Sequence, residues 1–354
     1  MATFKVEALK LSKIYPHPNA DRLELGQVEG MLFQFVIPKD VYKVGETIIY
    51  FPVDSLLSQD FVQQQNIANH LAGKDKNRVK TCTLRKEISQ GYVTSVKSVL
   101  EHLKTDTIPE DLTSVLNVVK YEPPEVMTHT GRLVRLPEHV YYYDIEGCDR
   151  YPNILALLLD RKVVITEKLE GSNFGTSINP GGKVSVNQHA YAIENIPDKE
   201  EHTFWKIARQ EGIIDMVTTL HNLFPNQTIT IRGEALGPKI QSNYYNLSKY
   251  VVKVYDLEFD GHAVDYPKLP DILVKANILE NWKRLFVPVI AENIVLKEWL
   301  GDKTIQQASN GKSALIDKLR EGIVIKPMIE EFIHGFGRLF LKQRDPIYLD
   351  KTGN

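Results

Sequence analysis

Short segments with the character of β-strands, separated by turns, run through most of this chain and limit its possible folds more than any other feature. In the first hundred residues they include "KVEALKLSKIYP", "FQFVIPKD", "ETIIYFPVDSLL" and "GYVTSV". Apolar and polar residues alternate in them, β-branched residues are frequent, and Gly and Pro stand at their ends. This pattern predicts a small β-barrel over residues 1–105.

The second half of the chain has a different pattern, in which helices interrupt the strands. Residues 106–140 contain proline-rich and polar stretches such as "YEPPEVMTHTGR", which indicate a linker with room for one short helix. Strand segments resume with "KVVITEKL", "TITIRGEAL", "VVKVYDLEF" and "EGIVIKP". Apolar residues follow helical spacing over 199–224, and further helix candidates lie in 268–320. We therefore predict an α+β domain over residues 141–354.

The bulk properties argue against several classes of protein. The chain has 354 residues, enough for two domains, and a formal net charge of −2, so any contact with nucleic acid must come from local basic patches. Its two cysteines, Cys82 and Cys148, argue against a disulfide framework and a zinc site. Because no apolar run resembles a signal peptide or a membrane span, we expect a cytoplasmic protein without membrane contact. No protein partner is indicated.

Charged residues stand at the ends of four strand segments in the second half: "ITEKLEGSNFG", "TIRGEALG", "EGIVIKP" and "LFLKQRDP". A charged strand end is usually a solvated edge. Four of them in one domain indicate instead that the strand ends meet in a cleft. That cleft would gather three lysines and three carboxylates, which are Lys168, Lys326, Lys342, Glu170, Glu234 and Glu321.

This mixture of charges suits phosphate chemistry at a nucleotide. A phosphoryl centre needs cations around its oxygens and a nucleophile in line with the leaving group. A metal ion such as Mg²⁺ needs hard oxygen ligands. Lys168 can act as the nucleophile only when it is neutral, whereas its neighbours Glu167 and Glu170 favour the charged amine. The sequence leaves open how Lys168 would lose its proton.

At these residues the chain resembles a known superfamily. The segment from Lys168 to Gly171, "KLEG", is similar to the K-x-[DE]-G signature of covalent nucleotidyltransferases, which comprise DNA ligases, RNA ligases and mRNA capping enzymes. The segments "RGEALG", "VVKVYDLEF", "EGIVIKP" and "LFLKQR" resemble the later motifs of that superfamily in the same order, and together they span residues 150–345.

Two features favour the RNA ligases within this superfamily. DNA ligases and capping enzymes generally carry Arg five residues after the lysine, whereas this chain has Asn173, as RNA ligases do. The barrel candidate also precedes the core, as in family-5 RNA ligases, and "LRKEISQGYV" and "CDRYPNI" resemble that group. The resemblance implies an α+β protein with an N-terminal OB-like β-barrel followed by a nucleotidyltransferase domain of antiparallel sheets with flanking helices.

The resemblance also implies roles for the motif residues. Lys168 would attack the α-phosphate of ATP, expel pyrophosphate and become lysyl-AMP. Glu167 would lie against the adenine, and Glu234 would hold the ribose hydroxyls. Glu170 and Glu321 would orient Mg²⁺ or Mn²⁺ through water. Glu234 is a further candidate for the metal, and Asn173 joins the nucleotide-binding residues.

Further basic residues would contact the phosphates. Lys342 would bind the α-phosphate with Arg344 as second basic contact, although relatives often have Lys-x-Lys there. Lys326 could contact a phosphate or only cap a strand end, and Arg150 could touch the pyrophosphate. Val252 is the candidate floor of the adenine site, or else a plain core valine.

One departure concerns the later phosphate steps. RNA ligases tend to have an arginine about twenty residues after the lysine, whereas this chain reads "SVNQHAYAIE" there. Asn187, Gln188 and His189 could hydrogen-bond a phosphate but supply no fixed charge. End joining could therefore be weak or use another group.

The N-terminal segment "HPNADRLELGQVEG" resembles the opening of tRNA-binding OB domains, although "HPNADRL" could be only a turn that caps a strand. We predict an RNA groove formed by Arg78, Lys80, Arg85 and Lys86, with Tyr92 nearby. The alternative is a solvated strand edge. The segment "NGKSALIDKL" contains Gly-Lys-Ser but lacks the first glycine of a P-loop, because Gln306 stands there.

The function expected from the resemblance is an ATP-dependent RNA ligase that seals 3′-hydroxyl and 5′-phosphate ends through lysyl-AMP and an adenylylated 5′ end. The alternatives are a DNA ligase, a capping-type nucleotidyltransferase, or a non-catalytic RNA-binding OB protein.

Overall fold

The computed structural model describes residues 4–121, 132–195, 201–276 and 285–352. The chain divides into two compact units: Met1–Glu122 with Phe332–Arg338, and Pro123–Glu331 with Leu339–Asn354. In the described part of the chain, no helix has the length and apolar character needed to cross a membrane.

The first unit is built on a five-stranded antiparallel sheet. The unit up to residue 121 contains, in chain order, the strands β1 (Glu7–Pro16), β2 (Leu23–Val28), β3 (Gln34–Pro38), β4 (Thr47–Phe51), β5 (Ser55–Leu56), β6 (Cys82–Leu84), β7 (Glu87–Ser89), β8 (Tyr92–Ser95) and β9 (Val119–Lys120). The main sheet has the order β3-β2-β1-β4-β8, and β5 pairs with β9 and β6 with β7. Strand β4 is buried on both faces, which explains its continuous apolar run "IIYF".

The two edges of this sheet meet, and the sheet thereby curls into a barrel. The Gln90 N–H donates to the carbonyl oxygen of Gln34 at 2.9 Å. The Val36 N–H donates to Ser89 Oγ at 3.0 Å. These bonds join β3 to the β7–β8 segment, so the predicted β-barrel is confirmed.

Three helices flank the barrel: α1 (Gln59–Gln65), α2 (Val96–Leu103) and α3 (Leu112–Val115). Ser58 and Ser95 cap the first two with their hydroxyl oxygens. Helix α3 and strand β9 lie in the segment assigned above to a linker, and Leu112, Leu116 and Val118 are buried in the core of this unit. The unit therefore extends beyond residue 105. The sequence pattern did not indicate this boundary, because polar and proline residues around 105–111 precede the short apolar stretch. Residues 122–131 of the predicted linker lie outside the described residues.

The second unit contains two large sheets. The strands that follow β9 are β10 (Arg132–Val134), β11 (Glu146–Gly147), β12 (Lys162–Lys168), β13 (Ser172–Ile178), β14 (Val184–Asn187), β15 (Ala192–Glu194), β16 (Ile229–Leu236), β17 (Val251–Phe259), β18 (His262–Ala263), β19 (Val289–Val295), β20 (Gly322–Pro327), β21 (Phe332–Ile333), β22 (Gly337–Arg338) and β23 (Leu341–Arg344). A seven-stranded sheet has the order β10-β15-β14-β13-β16-β17-β18, and a five-stranded sheet has the order β11-β23-β20-β12-β19. The hairpin of β21 and β22 is part of the first unit.

Helices cover the outer faces of these sheets. They are α4 (Pro152–Leu159), α5 (Thr203–Gln210), α6 (Ile213–Leu223), α7 (Leu269–Lys275), α8 (Leu296–Leu300), α9 (Ile305–Ser309) and α10 (Pro346–Thr352). The predicted helical stretch 199–224 is two helices, since Gly212 adopts a φ of 69° and begins α6. Ile207, Val217 and Leu220 are fully buried in the core with residues of the seven-stranded sheet. The predicted α+β class, with antiparallel sheets and flanking helices, is confirmed.

Candidate active site

A pocket opens between the two sheets of the second unit. Strands β12, β20 and β23 supply one wall, and strands β13, β16 and β17 supply the other. The described residues that line it are Tyr143, Asp144, Ile145, Thr166, Glu167, Lys168, Leu169, Asn173, His189, Glu234, Tyr255, Val287, Val324, Lys326 and Lys342.

Lys168 is the last residue of β12, and the register of that strand determines its partner. Lys168 pairs with Gly322 at the start of β20, so Glu321 lies beside it. The Nζ of Lys168 donates to Glu321 Oε2 at 2.7 Å. A side chain at Gly322 would collide with the backbone of Gln343 and Arg344, so glycine permits the close approach of β23 here.

The other pocket-facing residues of this sheet follow from strand alternation. Thr166 pairs with Val324, and Val324 pairs with Lys342. Residues two apart share a face of a strand, so Lys168, Lys326 and Lys342 lie on the same face of the sheet as Thr166 and Val324. The five-stranded sheet therefore gathers the three predicted lysines on one wall.

Lys326 and Lys342 nevertheless differ in their surroundings. Lys326 has a side chain that is 7% exposed, and its Nζ donates to Asp256 at 2.8 Å and to the carbonyl oxygen of Tyr255 at 2.7 Å. Lys326 thus joins the five-stranded sheet to β17 of the other sheet. Lys342 is 25% exposed, and its Nζ lies 3.5 Å from Asp144 Oδ1.

Glu167 faces the opposite side of β12, as alternation requires. Its buried Oε2 accepts a hydrogen bond from the Ala314 N–H at 2.9 Å. Burial raises the pKa of Glu167, and hydrogen bonds from Ser313 and Ala314 oppose the rise. The segment that resembles a P-loop therefore holds a carboxylate with its backbone. The Glu167 carboxylate points away from Lys168.

Glu170 is held by two hydroxyl groups. It is not one of the described residues that line the pocket. Its Oε1 accepts from Ser242 Oγ at 2.5 Å, and its Oε2 accepts from the Tyr348 hydroxyl at 2.9 Å. The Glu170 N–H donates to the Tyr245 hydroxyl at 2.9 Å. Tyr348 is buried on α10, so a C-terminal helix fixes this motif residue.

Asn173 and Glu234 are cross-strand partners on the seven-stranded sheet, and both line the pocket. Asn173 Nδ2 donates to the Tyr255 hydroxyl at 2.9 Å, while its buried Oδ1 has no partner among the described residues. Burial raises the pKa of Glu234 to about 8, and nearby Lys168 opposes the rise. The shift favours the protonated form of Glu234. Gly171, two residues before Asn173, has no room for a side chain, since a Cβ there would lie 2.5 Å from the carbonyl oxygen of Ala235.

The described residues that line the pocket do not include Arg150, Val252 or Arg344. Arg150 pairs with Glu146 at 2.8 Å, and Arg344 is exposed at the end of β23. Val252 is 1% exposed and packs in the core of the unit, which is the alternative kept open for it above. The structure therefore gives these three residues no place at the pocket.

Tyr255 forms part of the pocket wall, although the sequence predicted no aromatic residue there. The register of β16 and β17 pairs Arg232 with Asp256 and Gly233 with Val254, so Tyr255 is the extra residue of a β-bulge. A bulge changes the direction of a side chain relative to simple alternation. Leu169 and Val287 add an apolar surface beside it.

Sequence reasoning also missed the segment just before the core. Tyr143, Asp144 and Ile145 line the pocket, and the aromatic run "YYYDI" was the available signal. Asp144 Oδ1 lies 4.0 Å from His189 Nε2, and the His189 ring packs edge-on against Tyr142 at 4.4 Å between centroids. Burial lowers the pKa of His189, and Asp144 opposes this.

Of the three polar residues offered in place of the family arginine, the structure brings His189 to the pocket. The buried side chain of Asn187 instead donates to the carbonyl oxygen of Gln188 at 3.0 Å.

The predicted metal carboxylates are engaged by different partners in this structure. Among the described residues, no group of three or more His, Cys, Asp or Glu side chains is arranged to hold a metal ion. Glu321 is paired with Lys168, Glu170 is held by hydroxyls, and Glu234 favours its protonated form. The donors are hard oxygens, which suits Mg²⁺ or Mn²⁺ bound largely through water and phosphates.

The predicted RNA groove of the first unit divides into two parts. Arg78 pairs with Asp54 at 2.6 Å and lies over the Tyr121 ring at 3.5 Å, so it serves the packing of the unit. Tyr92 packs against Phe51, and burial raises its pKa to about 12.

The remaining basic residues, Lys80, Arg85 and Lys86, are exposed. Arg85 and Lys86 form the turn of the β6–β7 hairpin with positive φ angles. Asn19 Nδ2 donates to the carbonyl oxygen of Arg85 at 2.9 Å, so the "HPNADRL" turn braces this hairpin.

Comparisons with known proteins agree with this architecture. Residues 161–343, more than half of the chain, match the sequence model of the RNA ligase family, and residues 5–96 match an OB-fold domain. The chain is similar to the solved structure of Naegleria gruberi RNA ligase with PPi, with a TM-score of 0.59 and 21% sequence identity over 99% of each chain.

Two mutants of that Naegleria gruberi enzyme are also similar. A mutant with ATP and Mn has a TM-score of 0.59 and 20% identity over 99% of this chain and 98% of that chain. A mutant with AMP and Mn has a TM-score of 0.57 and 21% identity over 98% of each chain. Comparison with curated protein sequences gave no match. The match over residues 161–343, which contains the motif at Lys168, shows that this chain belongs to the RNA ligase family.

Proposed function

We propose that this protein is an ATP-dependent RNA ligase that seals 3′-hydroxyl and 5′-phosphate ends through a lysyl-AMP intermediate on Lys168. The observation that carries the proposal is the position of the Lys168 amine, at a strand end, in a pocket that Lys326 and Lys342 also line. Similar structures of Naegleria gruberi RNA ligase with ATP, AMP and Mn support the choice of nucleotide and metal.

The two walls suit the two halves of the nucleotide. Lys342 would contact the α-phosphate, because its amine is exposed to the pocket on the same sheet face as Lys168. The opposite wall would hold the nucleoside. The unpartnered Oδ1 of Asn173 can accept a hydrogen bond from a ribose hydroxyl, and protonated Glu234 can donate one. Tyr255, Leu169 and Val287 offer the base an aromatic and apolar surface.

Lys168 is in a resting state in this structure. Its amine is engaged by Glu321 at 2.7 Å, whereas attack on phosphorus needs a free lone pair on the nitrogen. The pair must open and the amine must lose its proton before reaction.

The proposed reaction has three balanced steps. Lys168 Nζ forms a bond to the α-phosphorus of ATP, and pyrophosphate leaves. The 5′-phosphate of RNA then attacks that phosphorus, and the Lys168 amine leaves. The 3′-hydroxyl finally attacks the activated 5′-phosphorus, and AMP leaves. A divalent metal, when bound, would neutralise phosphate charge, and Glu321 with Glu170 would hold it through water.

Incubation with ATP labelled at the α-phosphate tests the first step. The wild-type protein should retain covalent label that survives denaturation, in reactions with Mg²⁺ or Mn²⁺, and Lys168→Ala should not. Lys183→Ala is the matched control, since Lys183 is an exposed lysine of the same unit outside the pocket lining. Label that persists in Lys168→Ala would refute the choice of nucleophile.

A panel of nicked duplexes tests the substrate class. Substrates with RNA at the 3′-hydroxyl side should be sealed, whereas all-DNA nicks should be sealed poorly. Preference for the all-DNA nick would favour a DNA ligase. A protein that binds RNA with steep salt dependence but takes up no AMP would be an RNA-binding OB protein.

A further inference from the structure

We propose that Asp144 occupies a phosphate subsite formed by Lys342 and His189, and that a bound phosphate group displaces its carboxylate from these two residues. The inference rests on the proposed function, because the phosphate is that of a nucleotide or of an RNA 5′ end. It assigns a competing role to Asp144, a residue outside every nucleotidyltransferase motif described above.

The geometry places one carboxylate between two phosphate-binding side chains. Asp144 Oδ1 is 3.5 Å from Lys342 Nζ and 4.0 Å from His189 Nε2. All three residues line the pocket with Lys168. An anion at this position can accept hydrogen bonds from both an ammonium and an imidazole, as a phosphate oxygen would.

The loose contacts of Asp144 suit an exchangeable carboxylate. Its side chain is 40% exposed, and both distances exceed those of a strong charge-assisted hydrogen bond. The pair of Lys326 and Asp256 shows the contrast, with 2.8 Å between its atoms and both side chains almost fully buried. Lys326 is thus occupied by a structural partner, whereas Lys342 can exchange its partner for a phosphate.

His189 is held in place for the same task. Its ring packs edge-on against Tyr142, which limits its orientation. His189 lies in the stretch where relatives carry the arginine of the later phosphate steps. A histidine with a nearby exchangeable carboxylate would supply a phosphate contact there without a permanent charge.

The decisive variant is Asp144→Asn. Asparagine keeps an oxygen that can accept the hydrogen bond that Asp144 takes from the Ile145 N–H at 2.8 Å, but it lacks the competing charge. Isothermal titration with pyrophosphate, in the absence of nucleotide, should show binding about fivefold tighter than for the wild type. Weaker binding would overturn the proposal, since it would mean that Asp144 positions Lys342 rather than competing with the ligand. Unchanged binding of both pyrophosphate and the 5′-phosphorylated RNA tested below would overturn it equally.

Controls separate the local effect from others. Asp160→Asn removes the same charge from another ion pair of this unit, that with Lys297, and should leave pyrophosphate binding unchanged. Asp144→Ser is a second variant without the charge, and it should also bind more tightly. If Asp160→Asn bound as tightly as Asp144→Asn, net charge would explain the result and the proposal would fail.

A second titration identifies the source of the phosphate. A 5′-phosphorylated oligoribonucleotide and its 5′-hydroxyl counterpart are compared in wild type and Asp144→Asn. Tighter binding of pyrophosphate alone assigns the subsite to the nucleotide, tighter binding of the 5′-phosphorylated RNA alone assigns it to the RNA end, and no change for either ligand overturns the proposal. These readouts require no covalent step, so they hold even if Lys168 proves not to be adenylylated.

Discussion

The two walls of the pocket differ in charge, and that difference organises the site. The five-stranded sheet presents Lys168, Lys326 and Lys342 on one face. The seven-stranded sheet presents Asn173, Tyr255 and Glu234, whose protonated form is favoured by burial that raises its pKa to about 8. A cationic wall suits phosphates, whereas a wall without net charge suits a nucleoside. The site would thus hold the reacting phosphorus against one wall and the nucleoside against the other.

The largest effect on stability should come from the lysine that joins the walls. Lys326→Met would leave Asp256 buried without its ammonium partner, which typically destabilises by about 3–5 kcal/mol. Chemical denaturation measures this loss. Lys297→Met, at the exposed pair with Asp160, is the control and should change the free energy of unfolding little. Equal losses in both variants would contradict the structural role of Lys326.

The largest effect on chemistry should come from Lys342 on the same wall. Lys342→Ala should slow formation of the protein–AMP adduct roughly 100-fold, because it removes a cation from the developing charge, while stability stays close to that of the wild type. Single-turnover labelling measures the rate. Arg344→Ala, on an exposed residue outside the pocket lining, should have little effect. If Arg344→Ala slowed adduct formation more than Lys342→Ala does, Arg344 and not Lys342 would be the main phosphate contact.

Glu234 on the opposite wall should give a pH-dependent effect. Its pKa is raised from 4.5 to about 8, so the folded state binds the proton more tightly than the unfolded state. The stabilisation is fully present below about pH 4.5 and is lost as pH rises towards about 8. Glu234→Gln should lack this loss, so its stability relative to the wild type should increase from pH 5 to pH 8. A pH-independent difference in urea denaturation would show that Glu234 is ionised throughout.

The smallest effect concerns Glu170. Tyr348→Phe removes one of the two hydroxyls that hold its carboxylate, which typically costs about 1 kcal/mol. We expect a modest loss of stability together with a several-fold higher metal concentration for half-maximal adenylylation. Thr352→Val is the control on α10, because its hydroxyl donates to the carbonyl oxygen of Tyr348 in its own helix. An unchanged metal requirement in Tyr348→Phe would mean that Glu170 does not act on the metal.

The sequence predicted the parts of this site that depend on local strand patterns. The lysines at strand ends, and Asn173 and Glu234 as separate nucleotide-binding candidates, were predicted from motifs, and the strand register then makes Asn173 and Glu234 cross-strand partners. The direction of Tyr255 depends on a one-residue bulge between two strands, which the local pattern does not show. Val252, the candidate floor of the adenine site, packs in the core of the unit, which is the alternative kept open for it.

Long-range contacts explain the other differences. Glu170 meets Tyr348, which lies 178 residues later in the chain, and Lys342 meets Asp144, which lies 198 residues earlier. Spacing along a sequence carries no signal for such pairs. The metal carboxylates were predicted as one group, but each has a different partner, and these partners also lie far away in sequence.

The most direct measurement is to map the adduct after incubation with ATP and Mg²⁺. Proteolysis and mass spectrometry should find AMP on the peptide that contains Lys168, with the phosphoramide bond on its side chain. The peptides that contain Lys326 and Lys342 should carry none, since their proposed roles are structural and electrostatic. AMP on either of those lysines, or no AMP on Lys168, would contradict the account.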